Sequence, residues 1–139
     1  MVDRKEAVLA IDPGRRKCGL ALVVGGEMEW GKVLGLKEAV EEATKVWREG
    51  RAEVVVLGGG TGAKEVLSRL VRAGMPRRAI VLVQEGGSNL EGRRLFFRRN
   101  PPKGVWGWLR RLLLLPPEPF DQYVAWALAL RLKSTREPR

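Results

Sequence analysis

Between Glu6 and Val24 the chain carries two apolar runs split by a charged turn. The first, Glu6 to Ile11, ends in Asp12-Pro13-Gly14; Arg15-Arg16-Lys17 follow, and Gly19 to Val24 runs back. Short apolar runs bounded by Pro and Gly read as buried strands, and so short a connection makes them an antiparallel hairpin. A carboxylate at the end of an apolar strand, with glycine two residues later, is thereby held at a rigid tip where the backbone leaves room for a metal ion or a phosphate. The competing reading is that Asp12 only shapes the turn, which Asp favours.

The remaining periodicities alternate between strand and helix. Gly25-Gly26 reads as a second hairpin turn before a third strand over Met28–Leu34. Val40, Ala43, Thr44, Val46 and Trp47 then fall at helical spacing up to Gly50. Glu53–Leu57 reads as a strand buried on both faces. After Gly58 to Gly62 comes a helix with Val66, Leu67, Leu70 and Val71 inward, ending at Gly74, and then another buried strand over Ala79–Val83. Thr61 is a candidate N-cap for that helix. Ser88 and Glu91 have capping-box spacing at the start of a further helix, which Asn100-Pro101-Pro102 stops. Val105–Leu115 is expected to be helical and to end at Pro116-Pro117. A last amphipathic helix over Phe120–Leu132 follows, with Pro119 at its first turn and a charged tail, 134–139, expected to fray. The expectation is one α/β domain over 1–139, a mixed five-stranded sheet of three antiparallel strands then two parallel ones, flanked by helices. Such sheets place sites at the carboxyl ends of central strands.

Three acids fall where that sheet would gather them. Asp12 ends the first strand, Glu85 follows the last, and Asp121 lies in the first turn of the last helix with Glu118 three residues earlier. Clustered carboxylates suit hard cations such as Mg²⁺ or Mn²⁺, which activate water and stabilise a leaving oxygen in phosphodiester cleavage. Glu85 also reads as an exposed loop acid, and Asp121 and Glu118 as acids favoured at a helix start. The chain has no histidine and one cysteine, Cys18, which removes Ser-His-Asp and Cys-His catalysis, histidine metal sites, zinc clusters and disulfide frameworks together. Cys18 is expected to be a small core residue.

Lys plus Arg number 26 against 16 acids, for a net charge of +10, and 18 of the 26 are Arg, the better residue for forked phosphate contacts. A polyanion partner, DNA or RNA, is the sharper reading; a solvated basic surface is the plainer one. Arg15, Arg16 and Lys17 flank Asp12, and Arg93, Arg94 and Arg98 decorate the helix that begins just past Glu85. Trp106 and Trp108, beside Lys103, Arg110 and Arg111, could stack on unpaired bases, though core packing is expected for at least one of them; Trp126 is expected in the core. Gly58 to Gly62 lacks the Lys-Ser/Thr of a P-loop and reads either as an anion-binding turn or as a tight strand-to-helix turn. No signal peptide and no run of ~20 apolar residues is visible, so a cytoplasmic protein with no membrane partner is expected.

These residues resemble the RNase H-like superfamily and, within it, the YqgF (RuvX) family, relatives of the RuvC Holliday junction resolvase. The first motif matches as Asp12-Pro13-Gly14 through Gly19-Leu20-Ala21. The second acid corresponds to Glu85, and the third to Asp121 in Asp121-Gln122-Tyr123-Val124-Ala125-Trp126-Ala127. Gly86-Gly87-Ser88 stands where YqgF proteins usually carry Arg and a Ser/Thr pair, and Gly58-Gly59-Gly60 replaces their Gly-x-Pro loop. RuvC resolvases carry two acids in the last helix, and here the earlier one could only be Glu118. The resemblance implies a metal-dependent endonuclease acting on branched DNA, such as a Holliday junction, or on precursor rRNA. It also implies a homodimer, since junction resolvases need two active sites. The altered second motif motivates a rival, a nucleic-acid-binding module without catalysis. A further rival is an actin-like phosphate-binding domain, which also uses an Asp-x-Gly hairpin but needs a second domain for its nucleotide.

Overall fold

A computed structural model of the chain describes residues 6–84, 86–114, 116 and 120–136, the last four by backbone alone. Five strands form one mixed sheet: β1 (Ala7–Asp12), β2 (Lys17–Val24), β3 (Glu27–Gly35), β4 (Val54–Gly58) and β5 (Ile80–Val83). Their spatial order is β3-β2-β1-β4-β5. The β1–β2 and β2–β3 pairs are antiparallel, and β4 lies parallel to both β1 and β5. Gly25 and Gly26 make the β2–β3 turn with φ of 59° and 86°, a left-handed pair that side chains resist and that matches the twist of a tight hairpin. The expected three-antiparallel, two-parallel arrangement is the one observed.

Alternation along the strands builds two cores. On β1, Leu9 and Ile11 face α1 (Leu36–Arg48) and α2 (Ala63–Arg72), while Val8 and Ala10 face the opposite layer, α3 (Ser88–Arg99) and α5 (Asp121–Arg136). Burial on both faces is why β1 and β2 read as near-continuous apolar runs rather than as alternating ones. Helix α5 is the main occupant of its layer. Val124 to Ala129 are all buried, and Trp126 also donates its indole N–H to the Gly26 carbonyl at 2.9 Å. Helix α3 packs on α5 through Phe96, whose ring meets those of Phe97 and Tyr123 edge-on at 5.2 Å each. No helix among the described residues is long and apolar enough to cross a membrane.

Several local expectations are corrected. The strand expected to be buried over Ala79–Val83 is an edge strand beginning at Ile80, because nothing pairs beyond it, and Leu82 is 46% exposed. Val71 points outward from α2, since its inward stripe is Ala63, Val66 and Leu70. Thr61 does not cap α2: Gly62, at φ 87°, takes that position with no side-chain bond. Ser88 and Glu91 form no capping box. Gly87 precedes α3 in the same left-handed way, and the Glu91 carboxylate is drawn to Arg131 instead. Both Trp106 and Trp108 lie outside the core, because α4 (Gly104–Leu113) buries none of its residues. Helix α5 continues past Lys133 to Arg136. Leu115, Pro117, Glu118, Pro119 and the tail 137–139 lie outside the described residues, as does Glu85.

Candidate active site

Asp12 is the last residue of β1, and its register partner across the hairpin is Gly19. Strand alternation turns Asp12 toward the α5 layer, the side of Val8 and Ala10. Gly19 faces the same way, and helix α5 begins directly on top of it. A Cβ built on Gly19 would lie 2.8 Å from Cβ of Asp121 and closer still to the Asp121 backbone carbonyl. The glycine therefore does two things. It lets the first turn of α5 rest on the sheet, and it leaves no side chain between Asp121 and the strand neighbour Asp12. Directly opposed residues on antiparallel strands have Cα atoms ~4.5–5.5 Å apart, so both carboxylates belong to one end of one sheet face. Cys18 reports the same convergence from the far side of β2. Burial pushes its thiol pKa up, a backbone hydrogen bond from Gly14 pulls it back, and the charges of Asp12 and Asp121 both raise it further.

The floor around this pair is short of side chains. Gly58 ends β4 beside it, and Gly62, at the head of α2, leans on the Pro13–Gly14 turn. The Gly59 N–H donates to the Val83 carbonyl at 2.9 Å, and the Ala63 N–H to the Gly60 carbonyl at 3.2 Å. Those bonds make the Gly58 to Gly62 segment a tight strand-to-helix turn. Among the described residues, no three Cys, Asp or Glu side chains form a metal-holding group. Two of the four expected ligands, Asp12 and Asp121, are brought together, and the other two, Glu85 and Glu118, lie outside the described residues. Asp12 and Asp121 supply oxygen donors of the kind a hard divalent cation prefers, on a floor where glycine leaves room.

Arginine 131 is a residue that the motifs did not single out. Its guanidinium donates to the carbonyls of Gln84 (2.7 Å) and Gly86 (2.5 Å), the two neighbours of Glu85, and forks onto the Glu91 carboxylate at 2.7 and 3.2 Å. It thus ties α5, which begins at Asp121, to the segment around Glu85. A signal was present in the chain: Arg131 is the lone charge between Asp121 and Lys133, a cation inside an otherwise buried apolar run. Such a group persists only where it is paired. Gln122, next to Asp121, carries no such signal. Its stem fills the space over Gly31, and its Oε1 is buried with no hydrogen-bond partner among the described residues.

The basic residues divide. Arg15 and Arg16 are exposed on the turn after Asp12, and Lys17, exposed too, opens β2. Arg93 lies over the Phe120 ring at 5.5 Å, next to Asp121, with its Nε buried and unpartnered among the described residues. Arg94 is exposed on α3. Arg98 is not gathered at this end. It pairs with Glu27 at 2.9 Å, at the start of β3 and thus at the opposite end of the β2–β3 ribbon from Gly19, and its guanidinium sits over Trp126.

No family model matches the chain, and no curated protein matches it. Among solved structures, the fold is similar to that of T. thermophilus RuvC in complex with a Holliday junction substrate. The two are 15% identical, 90% of this chain and 91% of that one are covered, and the TM-score is 0.54. A second Thermus thermophilus RuvC structure is 17% identical, covers 89% and 91%, and has a TM-score of 0.51. At such identities the likeness is one of fold: the mixed five-stranded sheet with its helical layers is RNase H-like.

Proposed function

We propose that the chain is a divalent-metal-dependent endonuclease of structured nucleic acid, with Asp12, Glu85 and Asp121 as the metal-holding and catalytic carboxylates. The observation that carries this reading is the Gly19 contact, where a side-chain-free strand position brings the start of α5, and with it Asp121, onto the register partner of Asp12. The net charge of +10 and the exposed Arg15, Arg16 and Lys17 beside Asp12 support a phosphodiester substrate. The fold of RuvC, solved with a Holliday junction substrate, supports a branched one.

Asp12, Glu85 and Asp121, with Glu118 as a further candidate, would hold Mg²⁺ or Mn²⁺. Bound there, such ions supply a more acidic water and charge neutralisation at the leaving oxygen. Arg15, Arg16 and Lys17 orient the strand by its phosphates, and Arg93 adds positive charge where α5 starts. Arg131 grips the carbonyls of Gln84 and Gly86, the residues on either side of Glu85 in the sequence. Cutting both strands of a junction needs two such centres, so the reading includes two copies of the chain on one substrate. The finer placement, in the YqgF branch acting on precursor rRNA or in the RuvC branch acting on junctions, belongs to the same proposal.

The test is cleavage of labelled four-way junction, duplex DNA and structured RNA with Mg²⁺ or Mn²⁺, comparing wild type with Asp12→Asn. Metal-dependent cuts that disappear in the variant are expected, and the substrate cut best selects the branch. Cuts that persist in Asp12→Asn, or salt-sensitive binding with no cuts by either protein, would sink the nuclease reading.

A further inference from the structure

Helix α4 is the strangest part of the surface. None of its residues is buried, and Val105, Leu109 and Leu112 share one face with Trp106, Trp108 and Leu113 beside them. Trp106 is 76% and Trp108 56% exposed. An apolar face of this kind on a folded surface marks a binding site. The helix is also set off from the body. It follows Pro101-Pro102, starts at Gly104 in a left-handed conformation with nothing around it, and ends at Leu114, the one non-glycine with positive φ among the described residues.

Charge decides what can cover this face. Residues 103–113 carry three cations, Lys103, Arg110 and Arg111, and no acid. On α4 itself each tryptophan has a cation one turn on: Arg110 follows Trp106 by four residues and Arg111 follows Trp108 by three, its guanidinium 5.9 Å from the Trp108 ring. A second copy would have to bring the same uncompensated charge against it. A polyanion that also exposes flat apolar faces satisfies both halves of the surface at once, since phosphates meet the guanidinium groups and unstacked bases meet the indole rings. In the chain, α4 stands between α3, whose Arg93 covers the Phe120 ring at 5.5 Å, and α5, which begins at Asp121.

We infer that α4 is a stacking platform for an unpaired nucleic-acid strand, which engages the substrate beside the carboxylates. The inference rests on the nucleic-acid half of the function proposed above and deepens it. Residues 103–113 hold no acid, amide or hydroxyl side chain, so stacking and phosphate contacts rather than sugar readout dominate, and ribose and deoxyribose strands are expected to bind alike.

The experiment is fluorescence anisotropy without divalent metal, so that nothing is cut. Labelled oligo-dT, oligo-U of equal length and a blunt duplex are titrated with wild type, Trp106→Ala/Trp108→Ala and Trp106→Leu/Trp108→Leu. Both tryptophan pairs are expected to weaken binding of either strand by about tenfold or more, with duplex binding unchanged. Wild-type strand affinity in the alanine pair overturns the platform. So does rescue by the leucine pair, which keeps an apolar face and loses the rings. Tighter binding to phosphatidylglycerol vesicles than to oligo-dT, or a dimer that dissociates in the alanine pair on sedimentation, also overturns it by naming another occupant. Loss of strand affinity in the tryptophan pairs, together with cuts that persist in Asp12→Asn in the metal-containing cleavage assay, would leave the platform standing and remove the nuclease assignment alone.

Discussion

Helices α4 and α5 are written in similar residues and meet opposite fates. Both carry at least three Leu, at least one Trp and Arg, and both sit beside prolines. Helix α5 is buried along its middle and α4 along none of its length. The difference lies less in the helices than in what faces them. Gly19 and Gly31 on the sheet, and Gly92 on α3, leave hollows filled by Asp121, Gln122 and Val124. Each is a position where any Cβ would collide with α5. Among the described residues no such hollow takes up α4, and its own Gly107 meets only Pro102, at 3.4 Å from an ideal Cβ. A helix becomes core when its neighbours make room, and apolar composition alone does not decide it.

The sharpest way to break the comparison is to exchange the fates of the tryptophans. Trp126, 2% exposed and hydrogen-bonded to Gly26, is expected to cost about 3–5 kcal/mol on substitution by Ala. Trp106→Ala is expected to stay within about 0.5 kcal/mol of wild type. Urea melts of both variants check this, and equal losses would mean that α4 is packed in solution.

Next in size is the room itself. Gly19→Ala drives a Cβ into the Asp121 backbone, so α5 must lift. Overpacking of this kind costs about 1–3 kcal/mol, and here it moves a carboxylate away from its partner. Cleavage is expected to fall by about a hundredfold or more, beyond what the stability loss explains, because a displacement of ~1 Å at such a site is already costly. Normal activity in a destabilised Gly19→Ala protein would break the link between the close approach and the site.

Most of this architecture could be read from residue order. The doubled apolar strands, the Gly25-Gly26 turn and the periodic α1 and α5 are local patterns, and local patterns survive into the fold. Asp12 and Asp121 were legible for the same reason, one at a strand end and one at a helix start. Illegible was whatever depends on partners distant in sequence. Leu82 looked buried because its run is apolar, but edge position is a property of strand order. Ser88 and Glu91 had capping-box spacing, yet a guanidinium forty residues away took the carboxylate. Trp106 and Trp108 were expected to give at least one core residue, because an apolar side chain carries no record of whether anything will cover it.

Arg131 sharpens the comparison from the α5 side, as a place where that helix uses charge rather than close fit. Arg131→Lys keeps the charge and loses the fork, so it cannot serve Gln84, Gly86 and Glu91 together. The expected stability loss is about 1–2 kcal/mol, because the group is partly solvated and each bond is worth only ~0.5–1.5 kcal/mol net. The expected loss of cleavage is larger, with binding of nucleic acid unchanged, since the carbonyls released are those on either side of Glu85. A loss of binding that matched the loss of cleavage would make Arg131 a general support of the fold rather than a positioning residue.

The smallest effect concerns Cys18, beneath the same floor. Its thiol is buried among Leu20, Leu34 and their neighbours, and the carboxylates of Asp12 and Asp121 reinforce the burial that raises its pKa. A group with a raised folded pKa and an ordinary unfolded one holds its proton more tightly when folded. Stability from the neutral thiol is therefore present below the unfolded pKa, near 9.0, and declines as pH rises past it toward the folded value. Near neutral pH the thiol is expected to react with a maleimide only as fast as the protein unfolds, and Cys18→Ala to cost little beyond the lost sulfur. Exposed Trp106 offers the contrast, open to quenching by acrylamide in the folded state. Rapid labelling of Cys18 in folded protein would mean that the β1–β2 hairpin opens on its own. The rigidity argued for Asp12 would then have to come from α5 resting on Gly19 rather than from the strands.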